Sequence, residues 1–236
     1  MAAQGPDVRR LGLAPYARTS DLQASAAEHL RSDPKARETV FVLQHPPVIT
    51  LGRHADRSHV RLDDGALAAM GLPVVQTDRG GDATVHSPGQ IVVYPILHLG
   101  RRRLGPARLV ELLEEAMIDT CRSFGVPTSR NPPHAGVWVE RPRATGGPAK
   151  IGAVGLRVSG GVSTHGIALN VDNDLSLFDA IVPCGIPGAA VTSLRVETGR
   201  EVDVQAVEDA LVWALRTELG EIERLAPVAN RETGSL

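Results

Sequence analysis

Apolar residues recur at helical spacing through residues 107–125, "ARLVELLEEAMIDTCRSFG". Leu109, Leu112, Leu113, Ala116, Met117, Cys121 and Phe124 form one stripe, and Gly125 supplies a stop. The pattern predicts an amphipathic helix over 107–124, and "VDVQAVEDALVWALRTELG" a second over 202–220. A short helix fits 63–70, and "SDLQASAAEHLR" (20–31) reads as a helix opened by a Ser20/Asp21 cap. Strand-like runs lie near 8–13, at 39–45 and 48–53 on either side of Pro46-Pro47, and at 73–78, 89–97 and 135–140. The clearest pair is "KIGAVGLRV" (150–158) and "VSTHGIALNV" (162–171), joined by Ser159-Gly160-Gly161, a turn that suits positive φ. Strict alternation along the first of these puts Lys150, Gly152 and Val154 on one face and Ile151, Ala153 and Gly155 on the other.

Strands adjacent in sequence, with helices between others, predict an α/β (α+β) fold: a mixed β-sheet flanked by helices. There is no internal repeat and no break in composition. One domain is therefore expected over residues 8–222, between a flexible N-terminus (1–7) and a loose polar tail (223–236).

Bulk composition narrows the function classes. The 236 residues are 42% hydrophobic and 22% charged, and the net charge of −2 gives no basic field for nucleic acid or an anionic membrane. Aromatic residues make up only 3%, which leaves few platforms for stacking bases. The first twenty residues lack the apolar core of a signal peptide, and no apolar run reaches membrane-spanning length. The two cysteines form no CxxC and no disulfide framework, so a reduced, cytoplasmic protein is expected. The eight histidines show no HExxH and no paired spacing with Cys or Asp, which argues against a metal site.

Candidate chemistry then concentrates in three loop-rich stretches. Cys121 belongs to the helical stripe and reads as core packing, whereas Cys184 sits between Pro183 and Gly185 in "AIVPCGIPGAAVTSL". Proline and glycine there suit a loop that holds a thiol out, with Thr192-Ser193 following to orient polar groups. The stretch "DRGGDATVHSPGQ" (78–90) carries two successive glycines whose N–H groups can serve as donors, with Arg79, Thr84 and His86 nearby. It is not a nucleotide phosphate loop, because the GK[ST] ending is missing. Lys150 heads the hairpin and His165 lies on its return strand. A lone strand-end lysine is more often a solvated charge than a catalyst, and a lone histidine more often a hydrogen-bonded structural one.

The blocks "RGGDATVHSPGQ", "PHAGVWV", "KIGAVGLRV", "THGIALNV" and "FDAIVPCGIPGAAVTSL" stand in the order and near the spacing of the lipoyl(octanoyl) transferase family. The chain resembles that family from about His45 to Leu194. Ser87 departs from it, standing where "HGPGQ" has glycine, and "ERPRATGGPA" before Lys150 is longer than usual. The resemblance implies a fold similar to biotin/lipoate protein ligase catalytic domains and transfer of an octanoyl group without any cofactor. The implied donor is octanoyl-acyl carrier protein. The implied acceptors are lipoyl domains of 2-oxoacid dehydrogenase E2 subunits and the glycine cleavage H protein. It places the acyl-thioester nucleophile on Cys184 and its partner on Lys150. It places substrate binding on Arg79, Gly80, Gly81, Asp82, Ala83, Thr84, Val85 and His86, on Ala153, Val154 and Gly155, and on Gly166, Ile167 and Ala168.

That chemistry is self-consistent. A thiol attacks a thioester as thiolate, and a neighbouring lysine can take the proton. Thioester exchange is nearly balanced and amide formation runs downhill, so no ATP is required. Two alternatives stand beside it: an ATP-dependent lipoate or biotin ligase of the same fold, which would need an adenylate-binding lysine loop and no nucleophilic cysteine, and a cysteine thioesterase pairing Cys184 with His86 or His165. The run "GRRRLG" (100–105) is a candidate docking patch for an acidic carrier, although such runs are commonly plain solvated surface.

Overall fold

The computed structural model describes residues 5–144, 146–182 and 190–220. Cys184, the expected tail and most of the expected N-terminal segment lie outside the described residues. Strand β1 (Asp7–Leu13) leads into helix α1 (Tyr16–Ser32), then β2 (Thr39–Gln44) and, past Pro46-Pro47, β3 (Val48–Leu51). Helix α2 (Asp64–Ala69) precedes β4 (Val74–Gln76), β5 (Ala83–His86) and β6 (Gln90–Ile96). Helices α3 (Leu99–Arg102) and α4 (Pro106–Ser123) are followed by β7 (Ser129–Asn131), β8 (His134–Val139), β9 (Ala149–Ser159) and β10 (Val162–Asn170). The short β11 (Ala190–Val191) and helices α5 (Leu194–Thr198) and α6 (Val204–Glu218) complete the described chain.

Two sheets result. The larger runs β1-β2-β6-β10-β9-β8-β7, with β11 added beside β9. It is mixed: β1 is parallel to β2 and β11 to β9, and its other pairings are antiparallel. The smaller runs β4-β3-β5. Both faces of the large sheet are covered, which is why "TVFVLQ" in β2 is a continuous apolar run. Val40 and Val42 face the cluster built on α4 and α6, while Phe41 and Leu43 face the α1 side. Cys121 is fully buried in the α4 cluster, and burial pushes its thiol up to about 12, as befits packing rather than chemistry. The β9–β10 turn is a two-residue loop, Gly160-Gly161, with φ of +57° and +77° and Ser159 opposite Val162.

Helix α1 starts four residues before the expected Ser20/Asp21 cap, directly after Pro15. Its buried face is Tyr16, Thr19, Gln23, Ala27 and Leu30, so the first turn that packs inward is polar and gives no apolar signal. Stretch 78–90, read as one loop, contains strand β5, which pairs with β3 from Val48↔His86 to Leu51↔Ala83.

Candidate active site

A cavity of about 370 Å³ lies between the small sheet, the β9–β10 surface and the turn that enters β8. Thirteen of the sixteen expected site residues line it: Arg79, Gly81, Asp82, Ala83, Thr84, His86, Lys150, Ala153, Val154, Gly155, Gly166, Ile167 and Ala168. Val85 is buried in the core of the small sheet instead. Gly80 lies behind the lining, its N–H donating to the Leu156 carbonyl at 2.9 Å. A Cβ there would stand 2.9 Å from that same oxygen, so glycine is what lets the loop lie on β9. The expected nucleophile, Cys184, lies outside the described residues.

Lys150 reaches this cavity through a departure from simple alternation. Val137 opposes Gly152 and Trp138 opposes Lys150, so β9 carries one extra residue here against β8. Ile151 lies in the core, and a Cβ on Gly152 would sit 2.7 Å from the Met117 sulfur of α4. The expected pairing of Lys150 with Gly152 and Val154 on one face is therefore wrong. The bulge turns Lys150 toward the cavity alongside Ala153 and Gly155.

The lysine is held from several sides. Its Nζ donates to the Ala135 carbonyl at 2.9 Å and stands 4.8 Å from the Trp138 ring centroid. Its own carbonyl accepts the Thr192 N–H at 3.0 Å, and Val191 of β11 pairs with it. Thr192 in turn gives its carbonyl to Asn170 Nδ2 at 3.0 Å, and its hydroxyl donates to the buried Glu197 carboxylate. The orienting role expected of Thr192-Ser193 thus falls on the strand beside Lys150, with Ser193 capping α5.

Arg79 builds the loop wall. Its guanidinium is buried and donates to the Thr50 carbonyl and hydroxyl and to the Gly80 and Asp82 carbonyls. At the rim, His59 Nδ1 and Asp82 Oδ2 pair at 2.7 Å, and this contact raises the His59 pKa.

The deeper wall is aromatic. Tyr16 and Tyr94, the chain's two tyrosines, both line the cavity. With His45, His86 and His165 they form a chain of ring contacts with centroids 5.2–6.4 Å apart. His45 donates from Nδ1 to the Ala14 carbonyl at 2.7 Å, leaving Nε2 to accept the Tyr94 hydroxyl at 2.8 Å. His86 donates from Nδ1 to Gln90 Oε1 at 2.6 Å, because Gln90 Nε2 is already used on Val85 and Asn170. Burial, helped by His45 and Arg79, pulls His86 down to about 3. Burial and the Arg79 and Arg157 cations hold His165 at about 4, against the pull of Asp78, which is itself paired with Arg157. Both imidazoles are neutral near pH 7. Sequence reasoning missed Tyr16, Tyr94, His45, His54 and His134 as site residues. The scarcity of tyrosine, with only two in the chain, was the available signal.

The lipoyl protein ligase A/B catalytic domain matches residues 15–216 of the chain. The protein belongs to this family. An octanoyltransferase of Chloroflexus aggregans is 44% identical over 209 residues, covering 88% of this chain and 92% of that one. A bipartite lipoate protein ligase from Thermoplasma acidophilum superposes with a TM-score of 0.65 at 14% identity, over 92% of this chain and 84% of that one. Biotin protein ligase from Aquifex aeolicus, in complex with biotin and ATP, gives 0.53 at 15% identity, over 91% and 71%. The expected fold class stands: a mixed sheet flanked by helices, as in these ligases. Among the described residues no helix is long and apolar enough to cross a membrane, and no group of three or more His, Cys, Asp or Glu is placed to hold a metal.

Proposed function

We propose that this protein transfers an octanoyl group from octanoyl-acyl carrier protein to a lysine of lipoyl domains, through a thioester on Cys184 with Lys150 as acid–base partner. The acceptors in this reading are the lipoyl domains of 2-oxoacid dehydrogenase E2 subunits and the glycine cleavage H protein. Its setting is the cytoplasm, where thiols stay reduced. The observation that carries it is a cavity with an apolar, small-residue floor and a buried lysine at one end, in a chain 44% identical to an octanoyltransferase.

The backbone on either side of the segment that includes Cys184 is anchored at this cavity. Val182 donates to the His59 carbonyl at 2.7 Å, and Ala190 and Val191 pair with Ala149 and Lys150. In the first step the Cys184 thiol gives its proton to a neutral Lys150 Nζ, and Sγ attacks the thioester carbonyl. The carrier's C–S bond breaks, and its thiolate takes the proton from Lys150. In the second step the neutral amine of the acceptor lysine attacks the acyl-enzyme. It loses a proton to Lys150, the C–S bond to Cys184 breaks to leave an amide, and the departing Sγ takes that proton back from Lys150. Ala153, Gly155, Gly166 and Ala168 form a floor against which an alkyl chain can lie, each methylene contributing about 0.8 kcal/mol on burial.

The test is intact mass spectrometry of the enzyme mixed with octanoyl-carrier protein. One octanoyl group should appear on the enzyme, map to Cys184, and move to an added lipoyl domain without ATP. Acyl-adenylate formation that depends on ATP would identify a ligase, and free octanoate released without an acceptor would identify a thioesterase.

A further inference from the structure

Behind the cavity lies a second groove, about 620 Å³, lined by α1 and the β9–β10 hairpin. Among the described residues, His165 alone lines both spaces. It stands in the middle of β10 with φ of +57°, a conformation costly for a residue with a side chain. The next residue, Gly166, has the Val93 carbonyl only 2.0 Å from where a Cβ would stand, so the strand passes hard against β6 here.

Both the ring and its backbone are anchored. Nε2 meets Asp78 Oδ1 at 2.6 Å, and the other Asp78 oxygen pairs with Arg157. The His165 N–H donates to Gln23 Oε1 at 2.7 Å, and the Tyr94 ring stands perpendicular to the imidazole at 6.3 Å. The loop above closes the same end, with Gly80 bonded to Leu156, the residue opposite His165. From Lys150 to Leu156 is six residues along β9, so His165 lies roughly 20 Å from the lysine backbone. An octanoyl chain, seven C–C bonds of about 1.5 Å in a zigzag, spans roughly 9 Å. Together with the lysine side chain it fills most of that run.

We propose that the His165 ring, braced by Asp78 and Arg157, is the end wall of the acyl slot and sets the chain length that the protein accepts. The inference rests on the reading above, that the cavity holds an acyl chain. Remove the ring, and the slot opens into the groove behind it.

The experiment compares enzyme acylation by octanoyl- and dodecanoyl-carrier protein, followed by intact mass, in the wild type, His165→Gly and Asp78→Ala. Glycine suits φ of +57°, so His165→Gly removes the wall without backbone strain. Asp78→Ala frees the ring to swing aside. The dodecanoyl-to-octanoyl rate ratio should rise ten- to hundredfold in His165→Gly, the range that four newly sheltered methylenes can supply, and less in Asp78→Ala. A purely structural role would slow both substrates alike and leave the ratio unmoved. An unchanged ratio in both folded variants overturns the end wall. Should His165→Gly fail to fold, the ratio in Asp78→Ala decides. A wild-type protein that forms no octanoyl adduct would sink the transferase reading, and this one with it. Normal octanoyl loading with an unmoved ratio would sink the end wall alone.

Discussion

Lys150 Nζ donates to the carbonyl of Ala135 at 2.9 Å, so the start of β8, not the lysine's own strand, holds its head. That end of β8 is fastened to α4. The Gly136 N–H donates to Glu114 Oε1 at 2.7 Å, and Arg130 Nε reaches Glu114 Oε2 at 2.9 Å. A buried helix carboxylate thus positions a cavity lysine through two backbone groups. The Trp138 ring lies alongside, its centroid 4.8 Å from Nζ.

Gly136→Ala should break this support. Gly136 has φ of +117°, and a Cβ there would stand 2.4 Å from the Gly152 carbonyl and 3.4 Å from Lys150 Cε. The β8–β9 ladder would have to open beside the bulge. We expect a loss of about 2–4 kcal/mol in stability, with acylation slowed beyond what the folded fraction explains. Denaturant unfolding and acyl-enzyme kinetics on the same sample check both.

The proposed dyad makes a sharper demand. Lys150→Ala should slow formation of the acyl-enzyme by about 10²–10⁴-fold, and higher pH should recover part of the loss by supplying thiolate from solvent. Cys184→Ser should form no stable acyl-enzyme, because an alcohol is the weaker nucleophile at neutral pH. Cys121→Ser should lower stability and leave acylation intact, since Cys121 lies in the α4 core. Full transfer activity in Cys184→Ala would sink the covalent mechanism.

Local patterns made much of this legible. The stripe from Leu109 to Phe124 marked α4, and the glycines at 160 and 161 marked the hairpin whose floor forms the cavity. What stayed hidden depends on contacts far apart in sequence. The bulge that turns Lys150 inward is set by pairing with β8 and by Met117 under Gly152, neither of which leaves a mark in "KIGAVG". Helix α1 hid its start because polar-tipped Tyr16, Thr19 and Gln23 make up its first buried positions, so its inward face does not read as apolar. Arg79 looked like a ligand-facing cation. In the fold its guanidinium holds Thr50, Gly80 and Asp82, which shapes the loop.

The arginine run at 101–103 divides by role. Arg101 donates to the carbonyls of Leu30, Asp33 and Ala36 at the end of α1, and Arg102 pairs with Glu38 at 2.6 Å. Arg101→Glu should therefore lower stability by roughly 1–3 kcal/mol, leaving three carbonyls without their donor and adding a negative charge at a helix C-terminus. Arg103→Glu should leave the melting temperature within about 1–2 °C of wild type. If the run steers an acidic carrier at all, the rise in KM and the weaker salt dependence should follow Arg103. Thermal melts of the two single variants separate these roles.

Acid should unfold this protein through its buried histidines. In the unfolded chain an imidazole titrates near 6.5, while the folded state holds His86 at about 3 and His165 at about 4, and lowers His45 as well. Between those values the unfolded chain binds protons that the native protein refuses, so stability rises with pH across that window and falls on acidification. The loss begins as pH drops through 6.5 and continues until the folded imidazoles themselves protonate, near 3–4. From pH 6.5 to pH 5, His86 and His165 should together cost on the order of 3 kcal/mol, the slope for each approaching about 1.4 kcal/mol per pH unit at the acid end. His86→Gln removes one of these groups, and the slope of unfolding free energy against pH should fall by about one proton's worth in this range. Urea titrations at half-unit steps from pH 7 to 4.5 measure that slope directly. An identical slope in wild type and variant would mean that His86 is protonated in the native protein, and so charged against the alkyl slot it lines.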